Sequence, residues 1–191
     1  SMQSELGFTL TRNGILADTR LRSIYRPVDH SLRHWMHTLV RDGVANSEIA
    51  GVLHKLKGKG LKVEHVQTFS MLCQLPHKHG KVSESWFSTK RLKDNSIASF
   101  SSLVLSMVPI LYLFMQKFEI AKSLPDEVEC FGKLHLIVGI LRLGPEGAMP
   151  HVSGLRSLIA AHNDMFARLY PDGVKPKLHQ LHHVVDGMEF C

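Results

Sequence analysis

The stretch PDEVECFGKLHLIVGILRLGP, residues 125–145, decides the fold. Pro125 suits the first turn of a helix, where its missing N–H would have had no intrahelical partner. Asp126, Glu127 and Glu129 set negative charge against the positive end of the helix dipole. Phe131, Leu134, Ile137, Val138 and Leu141 then recur at spacings of three and four, the signature of one helix face. Gly144-Pro145 stops the run. Nothing in the stretch alternates with a period of two, so it predicts a helix.

The same period extends outward in both directions. Toward the C-terminus a helix is predicted over 151–170, with Leu155, Leu158, Ile159, His162, Met165, Phe166 and Leu169 in register. Pro171-Asp172-Gly173 is a turn, and Pro176 opens a last helix through Leu178, Leu181, Val184, Val185 and Met188. Upstream lies the most hydrophobic segment, 97–118. A membrane span needs about 20 mostly apolar residues. Here Ser99, Ser101, Ser102, Ser106 and Pro109 interrupt, and only Met107 to Met115 is unbroken. A buried core helix, bent near Pro109, is expected instead.

Nearer the N-terminus, Asp29 or Ser31 can cap a helix carrying Leu32, Trp35, Met36, Leu39 and Val40. Asp42-Gly43 interrupts it. Asn46 or Ser47 can cap the next helix, which has Ile49, Val52, Leu53 and Leu56 on one face and ends at the glycines of Lys57-Gly58-Lys59-Gly60. Another covers Val63 to Leu75 and stops at Pro76. Residues 1–28 show no sustained period and form a lead-in segment; residues 29–191 form the helical domain. The fold class is therefore all-α, an irregular bundle of six to seven helices.

At 191 residues and 44% hydrophobic content the chain can bury a sizeable core. The net charge of +6 permits binding to nucleic acid or another anionic surface without requiring it. Cys73, Cys130 and Cys191 are odd in number and far apart, which argues against a disulfide scaffold and fits a reducing compartment. No signal peptide is visible, and the abrupt ends read as those of a fragment.

Histidine spacing offers the clearest chemistry. His179, His182 and His183 stand at i, i+3 and i+4, so a helix places them on one face that could hold a metal ion. The glutamate of HExxH is absent, which excludes that metalloprotease motif, and a further ligand cannot be assigned by spacing. His34 and His37 have helical i, i+3 spacing with the same shortage of ligands. His77 and His79 sit in a lysine-rich loop. No cysteine can be tied to a histidine, and no serine elbow or phosphate-cradling loop is present. The acids are scattered, with no subset marked out for two-metal chemistry. Basic residues form three groups: Lys55, Lys57, Lys59 and Lys62; Lys90, Arg91 and Lys93; and Lys175 with Lys177. On one surface they would neutralise phosphates, and Trp86 with Phe87 beside the second group could stack on bases.

Three segments together resemble transposases of the CACTA type, in particular the degenerate, multiplied copies in some protist genomes. The first is Leu6-Gly7-Phe8 with Gly14-Ile15-Leu16-Ala17-Asp18. The second is His34-Trp35-Met36-His37 followed by Asp42-Gly43-Val44-Ala45-Asn46-Ser47-Glu48. The third is Lys175-Pro176-Lys177-Leu178-His179-Gln180-Leu181-His182-His183. The resemblance implies an RNase H-like core with an Asp, Asp, Glu metal site, interrupted by a long helical insertion. An Asp-x-x-His motif opens that insertion, and a Lys-Pro-Lys-x-His segment leads back toward the glutamate. Here His37 keeps the histidine, whereas His34 stands in place of the aspartate.

On that resemblance both catalytic aspartates would precede Ser1 and the glutamate would follow Cys191, with Glu189 the nearest candidate inside the chain. The expectation is a helical insertion domain without activity or cofactor of its own. Its partners would be DNA, through the basic clusters, or protein, through self-association or the missing core, with no membrane and an intracellular, nuclear setting. The alternative expectation is a helical protein–protein interaction module.

Overall fold

The computed structural model describes residues 35–40, 43–73, 97 and 101–189. After a π-helical turn at Met36–Val40, seven α-helices follow among the described residues: α1 Val44–Gly58, α2 Val63–Leu72, α3 Ser101–Lys117, α4 Pro125–Leu141, the short α5 Gly144–Ala148, α6 Val152–Leu169 and α7 Pro176–Glu189. Single 3-10 turns at Ile120–Lys122, Met149–His151 and Pro171–Gly173 complete the connections. No strand occurs among the described residues, and the all-α expectation holds. Among the described residues no helix is long and apolar enough to cross a membrane.

The helix α4 is the hub, packing against α3 on one side and α6 on the other, while α7 lies on α6. Its predicted face is the buried one: Phe131, Leu134, Ile137, Val138 and Leu141 are all enclosed. Full burial of one such side chain is worth about 1.5–3 kcal/mol. Tyr112 of α3 stacks on His135 of α4 at 4.8 Å, and Gly132 makes room for that ring. Phe69 of α2 meets the edges of Phe114 and Phe118 at the end of α3. The helix α3 runs through Pro109 as a core helix, with Val104, Met107, Val108, Leu111, Phe114 and Met115 buried.

The start of α1 corrects one expectation. Asn46 and Ser47 do not cap it; Gly43 occupies the cap position, with no side-chain cap bond, and the helix begins at Val44. A Cβ on Gly43 would lie 2.3 Å from the carbonyl oxygen of Thr38, so the chain turns here against its own backbone where only glycine fits. Asn46, Ser47 and Glu48 are consequently carried inside the first turns and buried along with Val44, Ala45, Ile49 and Ala50. Asn46 finds partners at once: its side-chain amide donates to the carbonyl of Ile97 at 3.3 Å and its oxygen accepts from the Ile97 N–H at 2.7 Å.

At its other end α1 closes as the glycines predict. Gly60 takes a positive φ of 82°, and the N–H groups of Gly60 and Leu61 donate to the carbonyls of Lys57 and Leu56. That is the two-bond C-terminal cap that glycine makes possible. The lead-in 1–28, His34, the loop histidines His77 and His79, Trp86 and Phe87, the cluster Lys90, Arg91 and Lys93, and Cys191 lie outside the described residues.

Candidate functional site

Glu48 of α1, Cys130 of α4 and His162 of α6 come from three separate helices and meet in the middle of the core. One ligand-capable atom from each lies within 4.8 Å of the other two, and all three residues are buried. Each sits on the apolar stripe of its own helix: Glu48 one turn before Val52 and two before Leu56, Cys130 one turn before Leu134, His162 between Ile159 and Phe166.

The hydrogen bonds fix most of the protons. Asn163 can only donate to the Leu178 carbonyl, which it does through its amide nitrogen at 2.9 Å. Its oxygen therefore faces His162 Nδ1 at 3.2 Å and accepts, so Nδ1 carries a proton. His162 Nε2 stands 2.7 Å from Glu48 Oε2. One proton is shared between that nitrogen and that carboxyl, and the pair is neutral as a unit wherever the proton sits. Burial alone would lower the His162 pKa. The Glu48 charge, the Glu48 hydrogen bond and the Asn163 hydrogen bond outweigh it and hold the imidazole above its ordinary value.

Two further groups press on this cluster. Burial, with the Glu48 charge second, pushes the Cys130 thiol far up, so the sulfur keeps its proton. Burial acts likewise on the Tyr170 hydroxyl and pushes it up, with the Glu48 charge second. The second carboxylate oxygen of Glu48, Oε1, is buried with no hydrogen-bond partner among the described residues, and so is the Tyr170 hydroxyl. Two orphaned polar atoms in one core region are unusual, because each costs about 1–3 kcal/mol of desolvation.

Asn163 also links the core to the surface. The same amide nitrogen lies 3.0 Å from His182 Nε2 on α7, which must accept, leaving His182 neutral. Burial and the neighbouring His179 and His183 lower its pKa accordingly. The three histidines of α7 therefore do not act together. His182 turns inward to Asn163, whereas His179 and His183 pair with each other, Nε2 to Nε2, at 3.3 Å. His183 donates through Nδ1 to Asp186 at 3.0 Å, and Arg156 of α6 holds the other oxygen of Asp186 at 2.6 Å.

The basic residues divide between the two ends of α1. Lys57, Lys59 and Lys62 stand exposed around the α1–α2 corner, while Lys55 turns back to Glu127 of α4 at 3.6 Å. Lys175 and Lys177 line an open recess of about 170 Å³ beside Gly43, Val44 and Ser47 at the start of α1. A helix of this length separates the two groups by about 22 Å. Of the family-motif positions, His37 lies in the π-helical turn; Glu189, the nearest candidate inside the chain for the glutamate, ends α7.

Sequence reading missed the Glu48–Cys130–His162 cluster. The signal available was a polar residue on the apolar stripe of each helix, most plainly a glutamate at position 48; what no spacing shows is that the three stripes converge. No family model, no curated protein and no solved structure matches the chain.

Proposed function

We propose that the chain is a helical insertion domain of a transposase-derived protein whose function is carried on its surface, as a support that contacts the DNA backbone and has no catalytic chemistry of its own. The observation that supports it is the α1–α2 corner. Within six residues it presents Lys57, Lys59 and Lys62, all exposed, around a capped turn. Glycine at the cap leaves the chain close to the surface, and the lysine stems can reach outward along it.

Three lysines releasing three phosphate-bound counterions give a log–log salt slope of about −2.7. Duplex binding should then weaken about 40-fold between 50 mM and 200 mM salt. Fluorescence anisotropy on a mixed-sequence duplex measures this. The triple substitution Lys57→Gln, Lys59→Gln, Lys62→Gln should flatten the slope without altering helix content. No binding by the unsubstituted chain at low salt, or a slope unmoved by the triple change, rejects the reading.

A second reading, a protein-interaction module, has its own observation. Leu136 and Ile140 flank Gly139 on α4, Leu143 follows in the turn after the helix, and Leu136 and Leu143 are more than half exposed. If this face binds protein, Leu136→Glu with Leu143→Glu abolishes an association seen by sedimentation and leaves DNA affinity unchanged.

A further inference from the structure

We propose that Glu48, Cys130 and His162 form a buried site for a divalent cation of the zinc class.

The donor set defines the class. One thiol, one imidazole and one carboxylate make a mixed sulfur, nitrogen and oxygen site. Calcium and magnesium take oxygen ligands, whereas zinc accepts all three donor types. Ligands held tetrahedrally at zinc distances of 2.0–2.3 Å stand about 3.3–3.8 Å apart. The three atoms already lie within 4.8 Å of one another, so closing on an ion needs side-chain adjustments of about an ångström or less.

Charge balance favours the same occupant. Binding displaces the Cys130 thiol proton and the proton shared by His162 and Glu48. A thiolate, a carboxylate and a neutral imidazole then neutralise the two positive charges of the ion inside the core, where an uncompensated charge would be costly. Both displaced protons leave with solvent, and nothing is oxidised or reduced.

The outer shell is in place. A ligating histidine normally donates its other ring N–H to a fixed acceptor. His162 does so from Nδ1 to Asn163, and Asn163 is itself anchored on the Leu178 carbonyl. This leaves Nε2 facing the cluster. Glu48 Oε1 is a buried acceptor with no hydrogen-bond partner among the described residues. The Tyr170 ring packs against Gly51, about one turn on from Glu48 in α1, and its hydroxyl is likewise buried with no hydrogen-bond partner among the described residues. The pair His179 and His183 on α7 belongs to a separate arrangement that shares no ligand with this one.

The test uses the whole chain with Cys73→Ser and Cys191→Ser, so that Cys130 is the single thiol. It is purified without an immobilised-metal step. Elemental analysis should find about one zinc per chain, and cobalt(II) exchanged for it should give a near-ultraviolet sulfur-to-cobalt charge-transfer band. Adding His179→Gln and His183→Gln should leave both signals in place, and Cys130→Ser should remove the band. A folded protein with neither stoichiometric metal nor a cobalt–thiolate band overturns the proposal. So does metal that leaves with the surface pair. Because the band is read in a protein whose core is unaltered, failure of Cys130→Ser to fold would not obscure the answer.

Discussion

His162 and the pair His179–His183 stand on adjacent helices, 17 and 21 residues apart in sequence, and meet opposite conditions. His162 is wholly enclosed, shares a proton with a carboxylate from a distant helix, and is held in orientation by an asparagine. His179 and His183 lie on the outer side of α7, where water can replace either partner of the hydrogen bond between them. The spacing His-x-x-x-His advertises the second arrangement, yet the constraint lies in the first. Regular spacing on one helix costs a sequence little. A glutamate, a cysteine and a histidine brought together across the core from three helices displace apolar packing, and each must be satisfied by the others.

The largest effect should therefore come from the buried pair. Glu48→Ala leaves a buried imidazole without its carboxylate, and removing one member of such a pair costs about 3–5 kcal/mol. His162→Ala should cost a similar amount. Exchanging both together, Glu48→Met with His162→Leu, should cost less than either single change, because no charge or donor is then stranded. Urea titrations in the presence of chelator, read by helical ellipticity, measure all three. A double variant that loses the sum of the two single losses would show that the pair is uncoupled.

The sequence carried most of the helical architecture in a visible form. The stripes on α4, α6 and α7 reappear as buried faces, and Pro125, Gly60 and Pro176 mark helix ends where their restricted or permissive backbones predict. These are local signals, each fixed by a period or a backbone preference. The start of α1 misled because Asn46 and Ser47 have good capping chemistry. What decides the boundary is steric, the approach of Gly43 to the Thr38 carbonyl in a tight turn that no spacing of capping residues shows. The buried cluster was hidden because it is tertiary. His162 was visible as a member of its stripe, but its partners lie 114 and 32 residues away.

A smaller effect follows where the core surrounds the cluster. An added Cβ at Gly51 would lie 2.7 Å from two ring atoms of Tyr170. Gly51→Ala gains up to about 1 kcal/mol in helix propensity, but displacing a buried aromatic ring costs about 1–3 kcal/mol. Loss should win. Gly139→Ala, on the exposed side of α4 with open space around it, isolates the propensity gain and should stabilise. A stabilised Gly51→Ala would mean that Tyr170 moves freely and does not wall the cluster.

The two histidines joined through Asn163 should titrate against each other. The folded-state pKa of His162 is raised, so its contribution is complete below the ordinary value of 6.5 and is lost as pH rises through the folded value. That of His182 is lowered, so its contribution is complete above 6.5 and fades as pH falls toward the folded value. His182→Gln should therefore reduce the loss of stability between about pH 7 and about pH 5 while leaving the alkaline limb in place. Urea midpoints across that range, with chelator present, read it directly. An unchanged acid limb would place the decline elsewhere, with His135 the next group to test because burial lowers it as well.

The smallest effect belongs to the surface, although its contacts look the most numerous. Asp186 accepts from both Arg156 and His183, and those hydrogen bonds hold its carboxyl below the usual range. Asp186 and Arg156 are each about two-fifths exposed, so water and salt screen the pair. Exposed ion pairs contribute about 0–1 kcal/mol, and Asp186→Asn should fall in that interval, shrinking further as salt rises. A lowered acid contributes above its ordinary value of 3.8 and loses that contribution as pH falls below it, so the difference between Asp186→Asn and the unsubstituted chain should vanish in acid. A loss of 3 kcal/mol or more, persisting in high salt, would instead make the α7 face as demanding as the core.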